Sequence, residues 1–212
     1  MSRSTLFSAG AVLACLLTFG TWPCRAELGL ADMDTLREAF SEVRSLRTHF
    51  VQEKRMKILA RPLVSKGRFF FRAPADIRWE YDEPIRSVLL VAQGDARRYT
   101  LRAQVWEEDR GAGLDAMRFV LQDLSGWVSG DFDASRHFRP DLLQGPPARV
   151  VLTPRDASME RFIERVVLTL SATPGVIESV EIVEDPESIT RIEFRNTELN
   201  VPFPPGFFRE AP

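Results

Sequence analysis

Cysteine is scarce: Cys15 and Cys24 are the two in the chain, and both lie near its start. A disulfide framework is therefore excluded for the bulk of the sequence, and the fold must stand on its core. Histidine is equally rare. Neither His49 nor His137 has a second histidine or a carboxylate at metal-ligand spacing, so no metal is expected. There is no phosphate-binding glycine loop and no Gly-x-Gly-x-x-Gly, so no nucleotide cofactor is expected. Gly126-Trp127-Val128-Ser129-Gly130 puts its serine in the wrong slot for a nucleophile elbow, and no strand pattern precedes it. The carboxylates Glu107, Glu108 and Asp109 lie in a polar stretch and read as solvated charge. Together these absences argue for a binding protein and against an enzyme. The net charge of −2 argues against a general nucleic-acid binder. Past the first 26 residues no segment reaches 18 apolar residues, so a membrane-spanning helix is not expected there.

Those first 26 residues read as a secretory signal. Arg3 supplies the positive start, Leu6 to Phe19 form an apolar run of 14, and Ala26 suits the cleavage site. The division expected is a signal peptide over 1–26 and a single domain over 27–212, exported across the inner membrane to the periplasm, monomeric and free of cysteine. Val12-Leu13-Ala14-Cys15 half fits a lipid-attachment site, which leaves anchoring at Cys15 open. Thr21-Trp22-Pro23-Cys24 does not fit.

Apolar residues make up 44% of the chain, enough for a substantial core. Met33, Leu36, Phe40, Val43, Leu46 and Phe50 recur at steps of three and four, which predicts an amphipathic helix over roughly 31–48, capped by Asp32 or Asp34. Strand patterns follow. Ile77, Trp79 and Tyr81 alternate with Arg78, Glu80 and Asp82; Phe69 and Phe71 alternate with Arg68, Phe70 and Arg72. Ile85–Ala92 is apolar on both parities, and Arg97–Ala103 resumes after a turn at Gly94-Asp95. Pro62, Pro74 and Pro84 should stand at strand ends, since proline cannot donate to a ladder. Met117, Val120, Leu121, Leu124 and Val128 predict a second helix over 114–129. Arg139–Pro147 reads as a loop. Strands return at Arg149–Thr153, Phe162–Leu170, Val176–Glu184 and Thr190–Asn196, and the Pro-rich apolar tail Val201–Phe208 closes the chain.

The order is thus helix, about five strands, helix, about four strands. Short turns between sequential strands make an antiparallel sheet. A twisted sheet of eight or more strands curls, and the helices need a face to bury against. The class expected is α+β, mainly antiparallel β: an unclosed half-barrel with a helical lid over an apolar cavity.

The aromatic residues carry the functional reading. Phe69, Phe71, Trp79, Leu89, Val91, Phe119 and Trp127 are the candidate cavity residues; each could equally fill an ordinary core. Arg68 and Arg72 have the parity opposite to Phe69 and Phe71. They are either solvated or in contact with the lid or with a ligand's headgroup. Charge is uneven as well: Arg44 to Arg86 holds 11 Lys/Arg against 5 Asp/Glu, and Asp156 to Glu198 holds 4 Arg against 10 Asp/Glu. These are either two solvated strand faces or a basic rim facing an acidic partner or lipid headgroups.

The landmarks of Phe50–Pro84 come in a set order: Phe-x-Gln, then Pro62, Gly67, a Phe run, Pro74, Trp79 and Pro84. With Leu152-Thr153-Pro154, Ile189–Asn196 and Val201–Phe208, that order resembles the LolA family of periplasmic lipoprotein carriers and their LolA-like relatives. The resemblance implies a cavity for acyl chains of lipoproteins or other lipids. It also implies loading from an inner-membrane ABC transporter and delivery to an outer-membrane receptor. At one position the chain departs from the family pattern: Ala73, not arginine, precedes Pro74, and Arg72 stands one residue earlier. A shift of one residue turns a strand side chain to the other face. A second reading of the same fold is an envelope sensor or interaction module that binds a protein partner rather than lipid.

Overall fold

The computed structural model describes residues 32–109, 123, 125–132 and 135–211. The segment expected to be a signal peptide and most of the second predicted helix, Phe119 included, lie outside them; residues 125–128 form a helical turn.

The first helix, α1 (Met33–Ser41), is shorter than the spacing predicts. Asp32 caps it, its carboxylate accepting from the Thr35 amide at 2.8 Å. The chain turns at Glu42–Arg44 and enters β1 (Ser45–Arg55), where the expected helix continued to residue 48. Leu46 and Phe50 are four residues apart, a spacing that fits one face of a helix or of a strand. The burial of Leu46, Thr48 and Phe50 between exposed Arg47 and His49 shows a period of two.

Five strands follow in a meander: β2 (Leu63–Arg72), β3 (Asp76–Glu83), β4 (Ser87–Ala92), β5 (Asp95–Arg102) and β6 (Val105–Asp109). Pro62, Pro74 and Pro84 sit just outside strand ends, as expected. After the helical turn come β7 (Phe138–Leu143), β8 (Arg149–Pro154), a short helix α2 (Ala157–Glu160), β9 (Arg165–Leu170), β10 (Ile177–Asp185) and β11 (Ser188–Leu199). So each group holds one strand more than anticipated. Strand β7 occupies part of the expected loop over 139–147; its Pro140 is tolerated because β7 is an edge strand. Strand β9 starts at Arg165 rather than Phe162, because α2 and its exit occupy the residues before it.

All eleven strands form one antiparallel sheet in the order β6-β5-β4-β3-β2-β1-β11-β10-β9-β8-β7. The sheet is unclosed, with β6 and β7 as its two edges. Its centre is the pairing of β1 with both β2 and β11. Gly67 marks the tightest point: a Cβ there would stand 1.8 Å from the Glu80 carbonyl oxygen, so β2 and β3 approach as closely as they do only with glycine.

The two faces differ. The inner face contributes Leu46 and Phe50, Phe69 and Phe71, Ile77 and Trp79, then Val150, Leu152, Val166 and Leu168 from the far half, all to one hydrophobic cluster. Leu36 and Phe40 of α1 join it. The outer face is mostly charged, except where Phe70 meets the tail. There Phe203 and Phe207 pack edge-on to the Phe70 ring at 6.0 and 5.0 Å, and Phe208 is fully buried.

Candidate functional site: the apolar inner face

Cross-strand register assembles the candidate residues in two adjacent rows. One row runs Thr48, Phe69, Trp79, Leu89; the next runs Leu46, Phe71, Ile77, Val91. Phe69, Phe71, Trp79 and Leu89 are buried in the common cluster, and Val91 packs against it half-buried. The rings meet edge to face: Phe69 to Trp79 at 5.1 Å and Phe50 to Trp79 at 5.4 Å. Trp127, 1% exposed, reaches the same cluster from the helical turn and meets Phe138 at 5.8 Å.

Two features of this surface bear on what it could bind. First, the indole Nε1 atoms of Trp79 and Trp127 are buried and have no hydrogen-bond partner among the described residues. An unpaired buried N–H costs roughly 1–3 kcal/mol. Both donors belong to the one apolar cluster, where a ligand's carbonyl oxygen would satisfy them.

Second, there is a small void where Phe40 of α1 meets the sheet. Its volume is ≈ 30 Å³, room for about two waters. Phe40, Leu46, Phe69, Val128, Ile177 and Phe194 supply its apolar wall. Thr48 and Thr197 add two hydroxyls to that wall, Thr197 donating to Thr48 at 2.8 Å and Thr48 donating to the Arg195 carbonyl at 3.1 Å. The seat of α1 is close. At Gly175, with φ +74, a Cβ would stand 2.6 Å from Val43 Cγ2 and 2.9 Å from the Ala39 carbonyl oxygen. The alternation of Ile192 and Phe194 with Arg191, Glu193 and Arg195, and the helical stripe through Phe40, are visible in the sequence. Their meeting across α1 is not, because it depends on β11 pairing with β1.

Towards its β6 edge the inner face becomes polar. Thr100 donates to the Asp109 carboxylate at 2.7 Å, and Arg98 stands 3.5 Å from the same group. Tyr81 donates to Gln52 Oε1 at 3.0 Å, and burial pushes its hydroxyl up to about 12.

Arg68 and Arg72 lie on the outer face. Arg68 pairs with Glu80 at 2.7 Å. Arg72 bonds Asp76 at 2.6 Å, and its guanidinium stands 4.7 Å from the centre of the Phe208 ring. His137 Nδ1 is 3.0 Å from Asp123 Oδ2. Among the described residues no group of three His, Cys, Asp or Glu could hold a metal ion, and no helix is long and apolar enough to cross a membrane.

An outer-membrane lipoprotein carrier protein of Nitrosospira multiformis is 26% identical over 182 residues, covering 84% of this chain and 83% of that one. A LolA superfamily protein of Nitrosomonas europaea superposes with TM-score 0.43 at 13% identity, covering 84% of this chain and 97% of that one. The MucA/MucB complex of Pseudomonas aeruginosa superposes at 0.47 and 16%, covering 83% of this chain and 58% of that one. Residues 41–210, from the end of α1 to the tail, match the family described as outer membrane lipoprotein carrier protein LolA, and the chain belongs to that family.

Proposed function

We propose that this protein is a periplasmic carrier that shields acyl chains, of lipoproteins or other lipids, on the inner face of the sheet, with α1 as the lid. Phe69, Phe71, Trp79, Leu89, Val91 and Trp127 form the surface that takes the chain, with Phe119 as a further candidate. A donor in the inner membrane and an acceptor in the outer membrane complete the route. The observation that carries the reading is the pair of unpartnered indole N–H groups in an otherwise apolar surface. Membership of the LolA family supports it.

The magnitudes are favourable. The cavity is far too small for an acyl chain, so loading requires α1 to part from the sheet. Its two fully buried side chains, Leu36 and Phe40, hold it with roughly 3–6 kcal/mol. A 16-carbon chain removed from water brings on the order of 10 kcal/mol at about 0.8 kcal/mol per CH₂. The ligand therefore outweighs the lid contact that it displaces. The margin is modest enough for release without a chemical energy source.

Bromine-labelled acyl chains test this directly, since bromine quenches a neighbouring indole. The expected result is saturable quenching of tryptophan fluorescence that shrinks in Trp79→Phe and in Trp127→Phe. Quenching that is unchanged in both variants, or absent, overturns the assignment.

A further inference from the structure

The exposed large apolar side chains are not scattered. Ile58, Leu59, Leu63 and Val64 stand together at the β1–β2 hairpin, with Ile58 85% exposed. Ile85 follows at the β3–β4 turn, Val105 beside the β5–β6 turn and Phe162 just before β9. In an antiparallel sheet every second turn falls on the same rim. The register puts all of these on one rim: Arg55 pairs with Ile189, Lys54 with Leu63, Lys66 with Glu83, and Val183 with Arg165. Leu143, beside the β7–β8 turn, is the large exposed apolar residue of the opposite rim among the described residues.

The β1–β2 hairpin is the cationic part of this rim, which elsewhere carries Glu83, Glu164, Asp185 and Glu187. Residues 54–66 contain Lys54, Arg55, Lys57, Arg61 and Lys66 and no acidic residue. Lys54 is tied to Glu184 near the end of β10 and Lys57 to Glu187 of the β10–β11 turn, at 3.0 and 2.6 Å. Arg55 and Arg61 flank the apolar tip, and among the described residues neither meets a carboxylate within 4.0 Å. Arg86 adds a cation beside Ile85, over the Trp106 ring at 5.8 Å. An apolar tip flanked by Arg55 and Arg61 fits the boundary between acyl chains and anionic headgroups: the side chains enter the apolar layer and the guanidinium groups stay with the phosphates.

We propose that this rim, led by the β1–β2 hairpin, seats the protein reversibly on an anionic lipid surface. Ile58 and Leu59 form the wedge, and Arg55 and Arg61 are the headgroup contacts. Such docking goes beyond acyl-chain carriage and does not depend on it, since a bilayer surface can hold the rim whether or not the inner face is loaded.

Flotation of the purified protein with vesicles tests it. Phosphatidylcholine vesicles with and without phosphatidylglycerol are compared at low and high salt. Binding is expected to the anionic vesicles, weakened by salt. Arg55→Gln with Arg61→Gln should weaken it about thirtyfold, at roughly fivefold per charge. Ile58→Asp with Leu59→Asp should weaken it at least about tenfold while leaving thermal unfolding and the bromine quenching unchanged. Equal binding to neutral and anionic vesicles overturns the proposal, as does undiminished binding by both variants. Concentration-dependent dimerisation lost in Ile58→Asp with Leu59→Asp, without vesicle binding, assigns the rim to a second copy and overturns it as well.

Discussion

Arg78 and Phe207 are joined twice: the guanidinium donates to the Phe207 carbonyl at 2.8 Å and also stands 4.8 Å from the centre of the Phe207 ring. The same side chain donates to the Glu210 carbonyl at 2.9 Å and to the Glu80 carboxylate at 2.6 Å. At 7% exposure it is among the few buried charges of the fold, and it holds the tail to the outer face. Arg78→Met removes all four contacts. Glu80 keeps Arg68 as a partner, which limits the damage. The expected cost is about 2–3 kcal/mol, read as a lower urea midpoint with an unchanged slope. Proteolysis should then begin in the tail around residues 203–209. A change within 0.5 kcal/mol would show that the tail is held by its phenylalanines alone.

Gly175 tests α1 as the gate. Gly175→Ala combines a positive φ with a clash against Val43 and the Ala39 carbonyl, and should cost about 1–2 kcal/mol. If α1 is the lid, a weakened seat also speeds acyl-chain uptake. Stopped-flow quenching by brominated lipid measures this. Lower stability with an unchanged uptake rate would assign opening to another element.

Trp79→Phe separates the indole N–H from the ring that carries it. The unliganded protein should lose little and can gain, since a buried unpaired donor disappears. Affinity for an acyl ester should fall about tenfold, while affinity for a hydrocarbon chain without a carbonyl should hold. Calorimetric titration of both ligands decides the matter. An equal loss for both would make Trp79 a packing residue only.

Tyr81 provides a pH signature. Its hydroxyl is raised to about 12 in the folded protein, against about 10 unfolded, chiefly by burial. The folded state therefore favours the neutral phenol. Its contribution is complete below pH 10 and is lost as pH rises through 12. Tyrosinate absorbance should resolve a late-titrating group that is absent in Tyr81→Phe, and that variant should show a shallower alkaline loss of stability. Ionisation of Tyr81 near 10 would contradict its packing against the apolar cluster.

Much of this was legible in the sequence where one periodicity excluded the other. Ile77, Trp79 and Tyr81 alternate with charges, so β3 and its inner face followed at once. Phe69 and Phe71 showed the same alternation, whereas Leu89 and Val91 lie in a stretch apolar on both parities and are placed on that face only by the pairing of β3 with β4. Leu46 and Phe50 misled, because a spacing of four satisfies a helix and a strand alike, and only the pairing of β1 with β2 and β11 decides between them. Pro140 suggested a loop, since whether a strand is an edge depends on the whole sheet order. The seat of α1, built from Gly175 and the wall at Phe194, joins segments more than 130 residues apart and left no local trace.

The central claim is that the inner face carries acyl chains. Its most direct test is mass spectrometry of an organic extract from protein purified out of its native envelope without added detergent. The account predicts stoichiometric acyl-bearing lipid that is lost from a Trp79→Asp variant still able to fold. A clean extract, with a protein partner retained instead, would contradict it and favour an envelope interaction module built on the same sheet.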